Sequence, residues 1–411
     1  MKVLKLSLAL CLIYNISIFA NEKNSNLDTF ISDSKQKQFN FDYEKNDAES
    51  SKLRDSWIAP IQLDYSYSKS KPYTQQQTNQ NAAIKMSQPI FKSGGIYYGI
   101  KYAAASRLYT DYSIDVAKRK MIKDAISVLM QIKQTSLKEK KQNLQIKNSE
   151  INLLQKKEQY LSGQLDSGFL DNAIIQRNVV TQALYDIQTA KEKLITQFQT
   201  LSDLDYKSVK IPHLELIKSD EFVKNNIVLK KSRAEIEKNR YLKNVTIVKY
   251  LPSVDFTADY SWSKSEGQGF LIGGFFRDTS SEIASYDYGL RATMPLDINT
   301  FRDIESAKVD YLKSIVTAQD KKRELNALFE QVMHNIENYD KKIKLSNENI
   351  KLYKKLLKDT QELFKAGYKT EYDVDTLQNS LKIQKIDSKI YNIDKQLALL
   401  NLYEMYVNDG K

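Results

Sequence analysis

The 411-residue chain carries one cysteine and two histidines, which leaves almost nothing from which to build a thiolate or imidazole metal centre. His213 and His334 stand far apart and Cys11 lies in an N-terminal apolar run, so a disulfide framework is excluded as well. Proline (6) and glycine (12) are scarce, and a chain so poorly punctuated favours long uninterrupted elements over many short ones. Beyond residue 20 no apolar run approaches the roughly 20 residues that a membrane-spanning helix requires, so any crossing of a bilayer falls to strands. The chain also lacks a phosphate-binding loop, a dinucleotide fingerprint and a nucleophile elbow, the patterns that would announce nucleotide or acyl-transfer chemistry. The expectation is a protein with no catalytic site, no cofactor and no metal, and any work it takes part in must be powered by partners.

Charged residues make up 27% of the chain and the net charge is +11. The lysines alternate with acids along helical faces instead of forming a concentrated basic block, so the excess reads as a solvated helical surface and no nucleic-acid partner is expected. Residues 1–20, MKVLKLSLALCLIYNISIFA, run from Lys2 and Lys5 through an apolar stretch to Ala20. That is the pattern of a secretory leader, and a leucine before Cys11 does not suit a lipidation site. Loss of Lys2 and Lys5 with the leader leaves a net charge of +9.

The rest of the chain is written twice. WIAPIQLDYSYSKS (57–70) is answered by YLPSVDFTADYSWSKS (250–265), and each follows a charged helical segment, 41–56 and 227–248. A second strand then ends in a proline, Pro89 in AAIKMSQPIFKSGG and Pro295 in GLRATMPLDINTFRD. Each copy continues into a long proline-free helical segment, breaks at a glycine (Gly168 with Phe169, Gly367 with Tyr368) and resumes as a second helix. From Pro89 to Gly168 is 79 residues and from Pro295 to Gly367 is 72, a difference of one heptad. The expected organisation is a leader at 1–20, a first repeat at 21–210 with its tip near 168, and a second repeat at 211–411 with its tip near 367.

Spacings of 3 and 4 in the second copy link Phe329, Val332, Ile336, Tyr339, Ile343, Ile350, Tyr353, Leu357 and Phe364, with Ser346 and Thr360 holding two seam positions. The return helix repeats the rhythm at Ile383, Ile386, Ile390, Ile393, Leu397 and Leu400. Leu137, Leu144, Ile151 and Leu165 mark the first copy, returning through Val180, Leu184, Ile187, Leu194, Phe198 and Leu201. One narrow apolar stripe per helix is the seam of antiparallel coiled coils. A helix from Tyr97 to Gln164 would reach about 100 Å at about 1.5 Å per residue.

The strands alternate. Val254, Phe256, Ala258, Tyr260 and Trp262 face one way, and Asp255, Thr257, Asp259, Ser261 and Ser263 the other. The same holds for Ile61, Leu63, Tyr65 and Tyr67, for Ala82, Ile84 and Met86, and for Tyr286, Tyr288, Leu290, Ala292 and Met294. Period-two alternation sets one face in an apolar medium and the other in water, and lengths of about nine to eleven residues suit a tilted strand in a bilayer. With the remaining chain committed to helical seams, nothing is left to cover the apolar face. Four strands cannot close a barrel, and open edges in lipid are costly, so several chains must combine; the strands alone do not fix whether two, three or four.

The pattern resembles the TolC-like outer-membrane efflux proteins over residues 27 to 407. The resemblance rests on the duplicated order of helix, strand, strand, long helix, glycine turn and helix, and on Gln88-Pro89-Ile90-Phe91 with Gly94-Gly95 and Phe364-Lys365-Ala366-Gly367 with Tyr372-Asp373-Val374. It implies a homotrimer that pools four strands per chain into a twelve-stranded barrel in the outer membrane of a Gram-negative bacterium, above a helical periplasmic tunnel. It further implies that tips at Gly168, Phe169, Gly367 and Tyr368 meet a periplasmic adaptor (membrane fusion) protein of an inner-membrane pump or ABC transporter. Asp373, six positions after the second tip glycine, takes the place of the family's entrance carboxylate. Thr376 stands where a second acid is common, with Asp375 beside it, and Lys369 replaces an arginine. Pro89, Gly94, Gly95 and Pro295 mark the strand-to-helix corners, with Asn299-Thr300 where a Gly-Gly pair is common. The implied function is a passive exit duct for drugs and other amphiphiles. The alternatives are the outer-membrane component of a type I protein secretion system and, from a different class, a periplasmic coiled-coil scaffold or adaptor.

Overall fold

The computed structural model describes residues 27–71, 76–272 and 275–407, with side chains at all of these except 268–279; the leader at 1–20, with Cys11, lies outside the described residues. One sequence of elements occurs twice. The first copy is α1 (Asp33–Arg54), β1 (Gln62–Ser70), β2 (Gln77–Phe91), α2 (Gly95–Leu161) and α3 (Ser167–Leu201). A short α4 (Ser219–Lys224) precedes the second, which is α5 (Ile227–Lys249), β3 (Ser253–Ile272), β4 (Phe275–Thr293), α6 (Thr300–Lys365) and α7 (Glu371–Tyr403).

The long helices have the expected reach. At 67 residues, α2 extends about 100 Å at about 1.5 Å per residue. Its counterpart α6 has 66 residues, so the two differ by one residue and not by a heptad. The seven-residue difference read from Gly168 dissolves because the first turn is made elsewhere, as described below.

Buried apolar side chains gather at one level of the bundle, its waist. Ile126, Leu129 and Met130 of α2, Phe198 of α3, Phe329 and Val332 of α6, and Leu399 and Leu402 of α7 form one cluster with Phe30, Ile31, Leu214 and Phe222 from the connecting segments. The rings of Phe222 and Phe329 lie 5.6 Å apart. A large apolar side chain buried at this level stabilises by about 1.5–3 kcal/mol, which makes the waist the rigid part of the helical body.

Toward the tips the seams change character. The most deeply covered residues there are largely Gln134, Thr135, Gln142 and Ser149 on α2, Ser346 and Thr360 on α6, and Asn379 on α7. Ser346 and Thr360 hold the seam positions expected of them, and the Ser346 hydroxyl donates to the Gln384 carbonyl at 3.0 Å. In α2 the expected stripe is displaced: Leu137, Leu144 and Ile151 are only half-buried, and the side facing α3 is Thr135, Gln142 and Ser149. Gln142 donates to the Val180 carbonyl at 2.7 Å. Small and polar residues let the helices approach closely and anchor each contact by hydrogen bonds instead of by apolar area.

The four strands form one antiparallel sheet in the order β1-β2-β3-β4. Its register sets Leu63, Ile84, Tyr260 and Tyr286 in one cross-strand row and Tyr65, Ala82, Trp262 and Ala284 in the next but one. Between them run Asp64, Ala83, Ser261 and Ser285, and below lie Gln62, Lys85, Asp259 and Asp287. The alternation of the separate strands therefore sums to one apolar and one polar face. β3 (20 residues) and β4 (19) exceed the nine to eleven expected. The apolar rows, from Val254 to Trp262, cover about 27 Å of strand at about 3.4 Å per residue; beyond Trp262 the same face turns polar, and its indole N–H donates to Glu282 at 2.8 Å.

Candidate functional site

The helical tips close on the same local chemistry in both repeats. α6 ends at Ala366, Gly367 takes the left-handed conformation at φ +81°, and Thr370 starts α7. α2 ends at Ser162, Gly163 takes φ +76°, and Asp166 starts α3. A left-handed residue after a helix end is the position that glycine fills without strain. The turn glycine of the first tip is thus Gly163. Gly168 is the second residue of α3, and its amide donates to the Asp166 carboxylate at 2.8 Å; the sequence reading placed the turn five residues too late. The signal that finds Gly163 is the shared spacing of a glycine and an N-cap residue three positions on: Gly163 with Asp166, Gly367 with Thr370.

Asp373 has a definite structural occupation. Its carboxylate accepts from the Thr370 backbone N–H at 3.0 Å and from the Thr370 hydroxyl at 2.9 Å, and the Thr370 side chain accepts from the Asp373 amide. This capping box satisfies donors that the first turn of α7 leaves free. The Thr370 backbone bond, with help from the Thr370 hydroxyl and Lys369, outweighs desolvation and holds the Asp373 carboxyl below the usual carboxylate range. Asp375 is exposed and Thr376 half-buried. Tyr368, at 80% exposed, caps the second tip, and Phe169 and Leu161 stand out from the first.

The two hairpins meet along α2 and α7. The Tyr372 hydroxyl donates to Glu158 at 2.9 Å, a link between the tips that sequence reasoning did not find, since no periodicity marks it. Above it Asn379 donates to Asn148 at 2.9 Å, Lys141 to Asp387 at 2.8 Å, and Gln134 to Asp394.

The strand-to-helix corners differ between repeats. Ser93 and Gly94 take positive φ (45° and 89°) ahead of α2, and a Cβ at Gly95 would sit 3.2 Å from the Lys92 Cβ. Pro89 lies within β2 beside a bulge that leaves Ile90 without a partner residue. In the second copy Pro295 lies past the end of β4, and Asp297 makes the corner, accepting from the Asn299 amide at 2.8 Å while its carbonyl accepts from the Thr300 hydroxyl at 2.7 Å. An aspartate turn there replaces the glycine pair.

Among the described residues no helix is long and apolar enough to cross a membrane, and no cluster of acids, histidines or cysteines suits a metal ion.

Residues 219–406 match the model of the family described as outer membrane efflux protein. No curated protein matches in sequence. In structure the chain is similar to the CmeC outer membrane channel of Campylobacter jejuni, with a TM-score of 0.67 at 13% identity over 94% of this chain and 86% of that one. It is similar to the outer membrane protein VceC of Vibrio cholerae, with a TM-score of 0.68 at 13% identity over 92% and 95%. A membrane protein of Pseudomonas aeruginosa gives a TM-score of 0.70 at 11% identity over 94% and 90%. At these identities the likeness is one of fold. The resemblance to TolC-like proteins thus holds in sequence for the second repeat and in architecture for the whole chain.

Proposed function

We infer, from a second repeat that matches the outer membrane efflux proteins and an architecture shared with outer-membrane channels, that this chain is one protomer of a passive exit duct. Three chains close the barrel and the helical tunnel beneath it, as the family resemblance implies. The duct carries drugs and other amphiphiles outward from an inner-membrane pump or ABC transporter, through a periplasmic adaptor protein seated on its tips.

The carrying observation is the sheet. One face presents Leu63, Tyr65, Tyr286, Tyr288 and Leu290 to the surroundings with no helix laid over it, while β1 and β4 are open edges. In hydrocarbon an open edge leaves backbone groups unpaired at several kcal/mol each, and pairing β1 of one chain with β4 of the next removes both edges. The helical body supports the same ring. α3 exposes Phe169, Ile175 and Val179, and α6 exposes Leu345, Leu352, Leu356 and Leu363. Both stripes begin in the first turn above a tip and climb from there, so α3 of one chain and α6 of its neighbour offer apolar surface at matching heights.

In this reading the tips around Gly163, Phe169, Gly367 and Tyr368 form the adaptor surface, and Asp373, Lys369 and Thr376 stand at the periplasmic entrance. Asp373 contributes there by fixing the start of α7 as well as by its charge. The test is the oligomer itself: detergent-purified protein is expected to weigh three chains by native mass spectrometry and to give discrete conductance steps in planar bilayers. A monomer that stays in solution without detergent and carries no current would end this proposal.

A further inference from the structure

We propose that opening of the tunnel parts the seam between α2 and α7 within each chain, while hairpin α6–α7 stays docked on α3 of the neighbouring chain. The inference rests on the trimeric reading above and adds to it which of two contacts yields.

Each hairpin is closed by its own turn, at Gly163 and at Gly367, so α2 moves with α3 and α6 with α7. Relative motion of hairpins in a ring can then occur at only two places, α2 against α7 inside a chain and α3 against α6 between chains. Their chemistry is opposite. The contacts that fasten α2 to α7 below the waist are polar: Glu158 with Tyr372, Asn148 with Asn379, Lys141 with Asp387 and Gln134 with Asp394. They step by about a heptad along both helices in opposite directions, one fastening every two turns. Water can take over each of these bonds when the seam opens, so the net loss is small. The stripes of Phe169, Ile175 and Val179 and of Leu345, Leu352, Leu356 and Leu363 are aliphatic or aromatic, and separating them would return their whole apolar area to water. The waist core from Leu129 to Leu402 closes the polar seam at its upper end, which makes the motion a splay from a fixed root.

Two reversible bridges test this in the intact, reconstituted protein. Paired cysteines at Asn148 and Asn379, joined by a short methanethiosulfonate linker, are expected to hold the channel in its lowest conductance level and to release it on reduction. Paired cysteines at Ile175 and Leu356 are expected to give a covalent oligomer on denaturing gels with conductance within about twofold of the unbridged channel. A third variant, Tyr372→Phe with Asn379→Ala, loosens the seam and is expected to raise mean single-channel conductance several-fold. If the Ile175 and Leu356 pair forms no covalent oligomer, the ring itself is wrong. If it forms and locks the channel, or the α2–α7 bridge leaves conductance unchanged, or the loosened variant conducts as the parent does, the ring stands and the seam assignment fails.

Discussion

Replacing Asp373 separates two things that one carboxylate can do at the tip. In Asp373→Ala, α7 loses acceptors for the Thr370 backbone N–H and hydroxyl, at 3.0 and 2.9 Å, together with a negative charge over the helix N-terminus. A cap of this kind contributes about 0.5–2 kcal/mol and the charge a further 0.3–1 kcal/mol or so. Taking about 1–2 kcal/mol together, the opening equilibrium of the first turn shifts roughly 5- to 30-fold. The waist core lies many turns away and shares no contact with the cap, so global unfolding is unaffected. Hydrogen exchange followed by mass spectrometry on a peptide covering 368–380 reads the local effect, and exchange there is expected to accelerate by that factor while waist peptides hold. Thr370→Val tests the same cap with the charge intact: it should speed exchange less than Asp373→Ala does, yet leave cation block of the channel as it was, whereas Asp373→Asn should weaken cation block. Unchanged exchange in Asp373→Ala would refute the capping argument, and equal effects of Thr370→Val and Asp373→Asn on cation block would refute a separate role for the charge.

Gly163→Ala forces a side chain into a left-handed residue at φ +76°, which costs about 1–2 kcal/mol locally; faster exchange in a peptide covering 155–170 should follow, and Gly168→Ala, with ordinary backbone there, should change it little. The reverse ranking would return the turn to Gly168. Burial pushes the Asp394 carboxyl up, with Gln134, Lys138 and Lys342 offsetting part of the effect. An acid whose folded pKa is raised binds its proton more tightly when folded, so its contribution to stability grows as pH falls from neutral toward the carboxylate range and fades as pH rises. Asp394→Asn should therefore melt at or above the parent temperature at pH 7.5 and show a smaller rise on moving to pH 5; a parent whose stability only falls over that interval contradicts this. Tyr288→Lys places a charge on the apolar face at a cost of about 2–4 kcal/mol per chain near the bilayer midplane, and should reduce folded oligomer in membranes, while Asp287→Lys on the opposite face is tolerated. Equal tolerance of the two would count against the face assignment.

How much of this was legible in the sequence depended on whether a feature was periodic or solitary. The alternation of Val254 to Trp262 and the seam positions of Ser346 and Thr360 follow from spacing, because strands and coiled coils repeat every two or every seven residues. The first tip was misread because Gly163 and Gly168 both stand among turn-forming residues, and only the backbone shows which of them takes positive φ. The stripe of Leu137, Leu144 and Ile151 misled for a related reason. α2 is flanked by α1, α3, α5 and α7, so several faces are partly covered and an apolar periodicity does not reveal which neighbour it serves. The fastening between Glu158 and Tyr372 joins helices more than 200 residues apart in the chain, and nothing local anticipates it. Asp373 was legible as an important carboxylate by resemblance, but its bonds to Thr370 needed the structure, although the Thr-x-x-Asp spacing was there to be read.

The central claim is that four strands present one face to lipid and the other to water, and single cysteines measure it directly. Cys11 is the only native cysteine, so a Cys11→Ser background allows residues 254 to 263 of β3 and 284 to 292 of β4 to be labelled one at a time in membranes. A water-soluble maleimide should react at Asp255, Thr257, Asp259, Ser261, Ser285, Asp287, Gly289 and Arg291 positions. A lipid-confined spin-label quencher should report on Phe256, Ala258, Tyr260, Tyr286, Tyr288 and Leu290 positions. Two opposed patterns of period two are expected; equal reactivity along each strand, with no quenching from lipid, would contradict the account.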